Sequence, residues 1–151
     1  MINFPRSASK RAAIDIALEA AGCAGTILVQ RFSESKRITM KGRGNVVTET
    51  DVEAETAVKE ILTKEYPDIP ILAEESGGDL TTDGWLWIID PLDGTRNFAS
   101  NIPHFSTVIA LAYCGEVQIG ITHDPLRSET FHAVRNMGAF LNGKRIWVSD
   151  E

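Results

Sequence analysis

The sequence predicts an α+β fold, two helices packed on a largely antiparallel sheet. Three observations carry that expectation: helical apolar spacing in the first 65 residues, a short unbroken apolar run at 85–89, and strand-like segments from Ser106 onward. Residues 7–33 read as one helix, because Ala13, Ile16, Ala17, Ala20, Ala24, Ile27 and Leu28 recur at three- and four-residue steps while Lys10, Asp15 and Glu19 fall elsewhere. Ser7 or Ser9 would cap it. Residues 51–65 read as a second helix with Ala54, Ala57, Val58, Ile61 and Leu62 on one face, ended by Pro67 and Pro70. Asp51 then falls in its first turn, where a carboxylate favours the helix dipole, and Thr50 with Glu53 fits a capping box.

A short strand over Ile69–Ala73 leads through Gly77-Gly78-Asp79 to the run Trp85-Leu86-Trp87-Ile88-Ile89, which has the character of a buried strand. Beyond Pro103, segments Ser106–Tyr113, Glu116–His123, Glu129–Val134 and Ala139–Leu141 alternate with Gly-, Asp- or Pro-containing turns. Cys114-Gly115 suits a tight hairpin. At 151 residues the chain is long enough for one domain with a real core. A net charge of −6 argues against a nucleic-acid or membrane-surface role. Cys23 and Cys114 are far apart and read as small buried hydrophobes in a reducing cytoplasm. No secretory pattern is visible at the N-terminus, and Asp15 and Glu19 interrupt the Ala-rich stretch, arguing against a membrane span.

The chemistry concentrates where the buried run ends. Asp90 follows the last isoleucine, Pro91 should stop further ladder pairing, and Asp93-Gly94 supplies a turn before Thr95-Arg96-Asn97-Phe98 opens a short helix. Two carboxylates three residues apart repel an anion and each other. A hard cation such as Mg²⁺ resolves that conflict, since it takes oxygen ligands and bridges carboxylates to phosphate. The turn can direct Asp90, Asp93 and the Leu92 carbonyl to one point, with N–H groups of the helix start facing what they bind. A haloacid-dehalogenase arrangement separates its aspartates by one residue; here two intervene, which sets that reading aside.

The stretch 87–98 resembles the first signature of the inositol monophosphatase family of Mg²⁺-dependent phosphatases. Val47-Thr48-Glu49-Thr50-Asp51, Ala73-Glu74-Glu75-Ser76 and Gly138-Ala139-Phe140-Leu141-Asn142-Gly143 agree with it in kind and order. The resemblance implies that residues 1–151 form the N-terminal metal- and phosphate-binding domain of the layered αβαβα sugar-phosphatase fold. It implies that Glu74, Asp90, the Leu92 carbonyl and Asp93 hold the cations, and that Thr95 with Asp51 and Glu74 prepares the attacking water. Asp93 and the Gly94 and Thr95 N–H groups would contact substrate, while Lys41 approaches the outer metal or phosphate. Glu75 is not expected to be a ligand.

The implied partner is a small-molecule phosphate ester, in a homodimeric complete enzyme. Inositol monophosphate or a related sugar phosphate is the first choice. Fructose 1,6-bisphosphate, adenosine 3′,5′-bisphosphate and histidinol phosphate are further choices within the family. The family's second domain carries a Trp-Asp signature that completes the metal site, and no Trp-Asp pair occurs here. That leaves a second class of function open, a non-catalytic metal- or phosphate-binding or assembly domain. His104, His123 and His132 lack metal-ligand spacing and are read as structural, and no Ser–His pair or reactive Cys supports covalent catalysis.

Overall fold

The computed structural model describes residues 3–34, 38–40, 46–81 and 83–149. Lys41, and with it the Lys41–Asn45 loop, lies outside the described residues. In chain order the elements are α1 (Ala13–Phe32), β1 (Ile38–Met40), β2 (Val46–Thr48), α2 (Glu49–Glu65), β3 (Ile71–Ala73), β4 (Trp85–Asp93), α3 (Thr95–Ala99), β5 (Ser106–Tyr113), β6 (Glu116–Asp124), β7 (Glu129–Val134), β8 (Gly138–Leu141) and β9 (Lys144–Ile146). Strands β3 to β9 form one sheet in sequence order, parallel between β3 and β4 and antiparallel throughout the rest. β1 and β2 make a separate antiparallel pair.

The α+β expectation holds, with the two long helices on one face of the sheet. Inward-pointing Trp87 and Ile89 of β4, Ile109 and Leu111 of β5, and Ile119 and Ile121 of β6 meet Ile16, Leu28, Val58 and Leu62 in a single core. Alternation along each strand leaves the other face to Val108, Ala110, Phe131, Ala139 and Ile146, which line a shallow apolar groove. Small residues let the layers approach: Ala17, Ala20, Ala21 and Ala24 of α1 are fully buried. At Gly25 a methyl group would lie 2.5 Å from His123 Nε2, so any larger residue there must displace the His123 ring. By length and composition α1 could cross a bilayer, but here its apolar face packs into the protein core.

Several local expectations are corrected. α1 begins at Ala13, with Ala12 as an N-cap that makes no side-chain cap bond. Ser7 donates to the Arg11 carbonyl, while the Ser9 N–H and hydroxyl both reach Glu65, so this segment is tied to the end of α2 instead of capping α1. α2 begins two residues early, and its capping box pairs Thr48 with Asp51, not Thr50 with Glu53. β1, β2 and β9 were not foreseen. Cys114 is exposed, since with φ 50° it sits beside Gly115 at φ 79° in the tip of the β5–β6 hairpin. Both residues have the positive φ of a type I′ turn.

Candidate active site

Parallel pairing brings two acids together. Leu72 lies opposite Ile88 and Ala73 opposite Ile89, so the next residues fall side by side, Glu74 just past the end of β3 and Asp90 still within β4. The Glu74 N–H donates to the Ile89 carbonyl at 3.2 Å. Asp90 is more than half buried, and its carboxyl shares a hydrogen bond with that of Glu74. Burial foremost, then that bond and the negative charges of Glu74 and Asp93, push its pKa up to about 8, against the pull of the Leu92 N–H. The pair therefore holds a proton near neutral pH.

Pro91 does not end the ladder. β4 runs on to Asp93, with the register against β5 shifting between Asp90 and Asp93. A bulge needs no ladder N–H at its extra residue, which suits proline. The Pro91 carbonyl is taken up by the buried Thr107 hydroxyl at 2.9 Å. Asp93 beyond the bulge is exposed, with one carboxylate oxygen 3.5 Å from Ser106 Oγ. It borders a cavity of about 510 Å³ shared with Gly94, Asn97, His104, Phe105 and Arg127.

Gly94 has φ 95°, and a Cβ there would lie 3.0 Å from the His104 carbonyl oxygen. This forced turn starts α3 and sets Thr95 across from α2. The Thr95 hydroxyl lies 2.8 Å from Asp51 Oδ1 and 3.1 Å from the Leu92 carbonyl. The other Asp51 oxygen accepts from the Thr48 N–H at 2.7 Å and from the Thr48 hydroxyl. Asp51 thus closes the capping box of α2, a task expected of Thr50 with Glu53, and also holds the Thr95 hydroxyl. With its proton directed at Asp51, Thr95 Oγ1 keeps lone pairs to accept from a water.

Two supports escaped the sequence reading. Glu55 is buried on α2 and accepts the Glu75 N–H at 2.9 Å and the Ser76 N–H at 3.0 Å. Its signal was the four-residue step from Asp51, which places both on one helix face. Thr107 gave no signal, because a threonine in a strand usually reflects β preference alone. His123 is structural as expected, its Nδ1 2.9 Å from Thr130 Oγ1, and burial lowers its pKa.

Glu74 and Asp90 are brought together, Asp51 and Thr95 are brought together, and Asp93 turns toward Ser106. Among the described residues no group of three or more His, Cys, Asp or Glu is gathered closely enough to hold a metal ion. The donor set nevertheless suits a hard cation. Two adjacent carboxyls share a proton where a divalent ion would otherwise balance them, and the Leu92 carbonyl lies on the same bulge.

Comparison with known proteins gives this arrangement its context. The model of the inositol monophosphatase family matches residues 9–151. The chain belongs to that family. It is 39% identical over 141 residues to the Nus factor SuhB of Pasteurella multocida, covering 91% of this chain and 53% of that protein. To the Nus factor SuhB of Escherichia coli K12 it is 38% identical over 136 residues, covering 88% and 51%. Among solved structures, the extragenic suppressor protein suhB of Bartonella henselae superposes with TM-score 0.88 at 35% identity, covering 93% of this chain and 56% of that one. An IMPase of Thermotoga maritima follows with TM-score 0.84 at 36% identity, covering 91% and 54%. The chain spans about half the length of the curated relatives it matches.

Proposed function

We propose that this chain is the N-terminal metal- and phosphate-binding domain of a Mg²⁺-dependent phosphomonoesterase acting on inositol monophosphate or a related sugar phosphate. The observation that carries the reading is the Glu74–Asp90 carboxyl pair, with Asp90 on a strand whose bulge leads directly to Thr95 and its hydrogen bond with Asp51. Glu74, Asp90, the Leu92 carbonyl and Asp93 would hold the cation, which supplies charge neutralisation for the phosphate and acidifies a neighbouring water. A related IMPase/NADP phosphatase, 25% identical, has been solved with NADP and Ca²⁺, a precedent for a divalent ion on this fold.

The remaining work falls to the chain's own groups. Thr95 Oγ1 accepts a hydrogen bond from the attacking water, and Asp51 keeps that hydroxyl oriented. Glu74 takes part in drawing off the water's proton. Gly94 and Thr95 present N–H groups to phosphate oxygens, and because α3 has only five residues these local donors matter more than any helix dipole. Fixed charge and positioning replace a covalent nucleophile. Complete relatives with this arrangement are expected to act as cytoplasmic homodimers.

A phosphate-release assay over a panel of esters, with and without Mg²⁺, tests the reading. Mg²⁺-dependent turnover lost on chelation supports it. A second reading is a non-catalytic metal- or phosphate-binding or assembly domain. It draws support from the relatives named as Nus factors and from the lack of a gathered three-carboxylate group among the described residues. Mg²⁺ binding without turnover of any ester, in a protein carrying both domains, would favour it.

A further inference from the structure

We propose that Glu55 is a positioning residue for Glu74, clamping the turn that presents this carboxyl to Asp90. The inference rests on the metal-site reading above. Glu74 itself is exposed and sits just past a strand only three residues long, a weak anchor for a group that must face a second carboxyl. Its own N–H is fixed on the Ile89 carbonyl at 3.2 Å, which restrains one side of the residue. The next two N–H groups, of Glu75 and Ser76, both end on the Glu55 carboxylate at 2.9 and 3.0 Å. The backbone is thus held immediately before and immediately after the Glu74 side chain.

The clamp is built for permanence. Glu55 is 4% exposed, and a carboxylate so far from water is tolerated only where hydrogen bonds replace its hydration. Two consecutive backbone donors do so, and bonds to a charged acceptor are stronger than neutral ones. One turn further along α2, Lys59 donates to the Ser76 hydroxyl at 2.9 Å, and a mutual pair between Ala73 and Gly77 closes the same turn at 2.9 and 3.0 Å. Without Glu55, the backbone after Glu74 would lose two of its anchors, and the carboxyl could move away from Asp90. With it, the two carboxyls stay side by side, where a cation can take both. Groups that orient a ligand from behind typically change metal affinity about 10–100-fold when altered.

Glu55→Gln tests this, because the amide keeps one acceptor and turns a donor toward the other N–H. Mg²⁺ titrated calorimetrically into the full chain should bind the variant at least about tenfold more weakly than the parent. Amide exchange should show Glu75 and Ser76 losing protection. Ala54→Gly, a destabilising change on the same helix, should melt earlier yet bind Mg²⁺ as the parent does. Unchanged Mg²⁺ affinity in Glu55→Gln overturns the inference while leaving the metal site standing. No Mg²⁺ binding by the parent chain overturns the metal-site reading and the inference with it. Should Glu55→Gln fail to fold, Glu55→Asp retains both acceptors at shorter reach, and parental affinity and protection there would equally overturn the inference.

Discussion

Replacing Asp90 by asparagine should stabilise the metal-free protein while abolishing its response to Mg²⁺. In the folded chain the Asp90 pKa stands at about 8 against 3.8 for the free side chain. Between those values the native state keeps a proton that the unfolded chain releases. The stabilising contribution of that proton is complete below about pH 4 and disappears as pH rises through about 8. At about 1.4 kcal/mol per pH unit the whole displacement sets a ceiling near 6 kcal/mol. Asp90 retains solvent access and shares its proton with Glu74, so screening brings the cost at alkaline pH to about 1–2 kcal/mol. An asparagine amide can donate to Glu74 as the protonated acid does, without titrating. Thermal melts in chelator across the range from about pH 5 to about 9 should therefore show a steeper decline for the parent. Asp90→Asn should lead by roughly 3–6 °C at the alkaline end. Added Mg²⁺ should raise the Tm of the parent and leave the variant unmoved. Parallel melting profiles for the two proteins would refute the assignment of a retained proton to Asp90 beside Glu74.

Asp93→Asn should abolish ester hydrolysis in the complete enzyme with the fold intact by circular dichroism; near-parental turnover would remove Asp93 from the metal site. Thr95→Ala should lower kcat about 100-fold with KM little changed, because it removes an interaction used in activating water. A rise in KM alone would make Thr95 a substrate contact instead. Gly94→Ala should cost about 1–3 kcal/mol in chemical denaturation, since a side chain at φ 95° is strained and its methyl would press on the His104 carbonyl. An unaltered midpoint would mean that the turn relaxes freely.

The helical periods, the meander and the acidic strand end were all legible because each is written in residues close together. Ala13, Ile16 and Leu28 announce their face by spacing, and Cys114-Gly115 announces its hairpin. What escaped depends on partners distant in sequence. Pro91 looked like a stop, yet Thr107, sixteen residues away, supplies the bond that lets β4 continue as a bulge. Thr50 with Glu53 matched a cap pattern, yet Thr48 takes the role because Asp51 can answer it and reach Thr95 with its other oxygen. Ser7 and Ser9 looked like caps of the helix that follows them, but Glu65 binds Ser9 across the fold. The Glu74–Asp90 pairing followed from β3 lying parallel to β4, and no spacing along the chain declares that.

Asp51, Glu55 and Lys59 recur every fourth residue along α2; Asp51 reaches Thr95, while Glu55 and Lys59 both reach the turn after Glu74. Their common axis makes this helix intolerant of length changes. One residue inserted between Asp51 and Glu55 would rotate everything downstream by about 100°, swinging Glu55 and Lys59 off the turn they hold. Substitutions at outward positions such as Val52 and Thr56 leave that phase untouched. Sequence drift in this segment should therefore run to replacement, with insertions and deletions confined to the connections on either side.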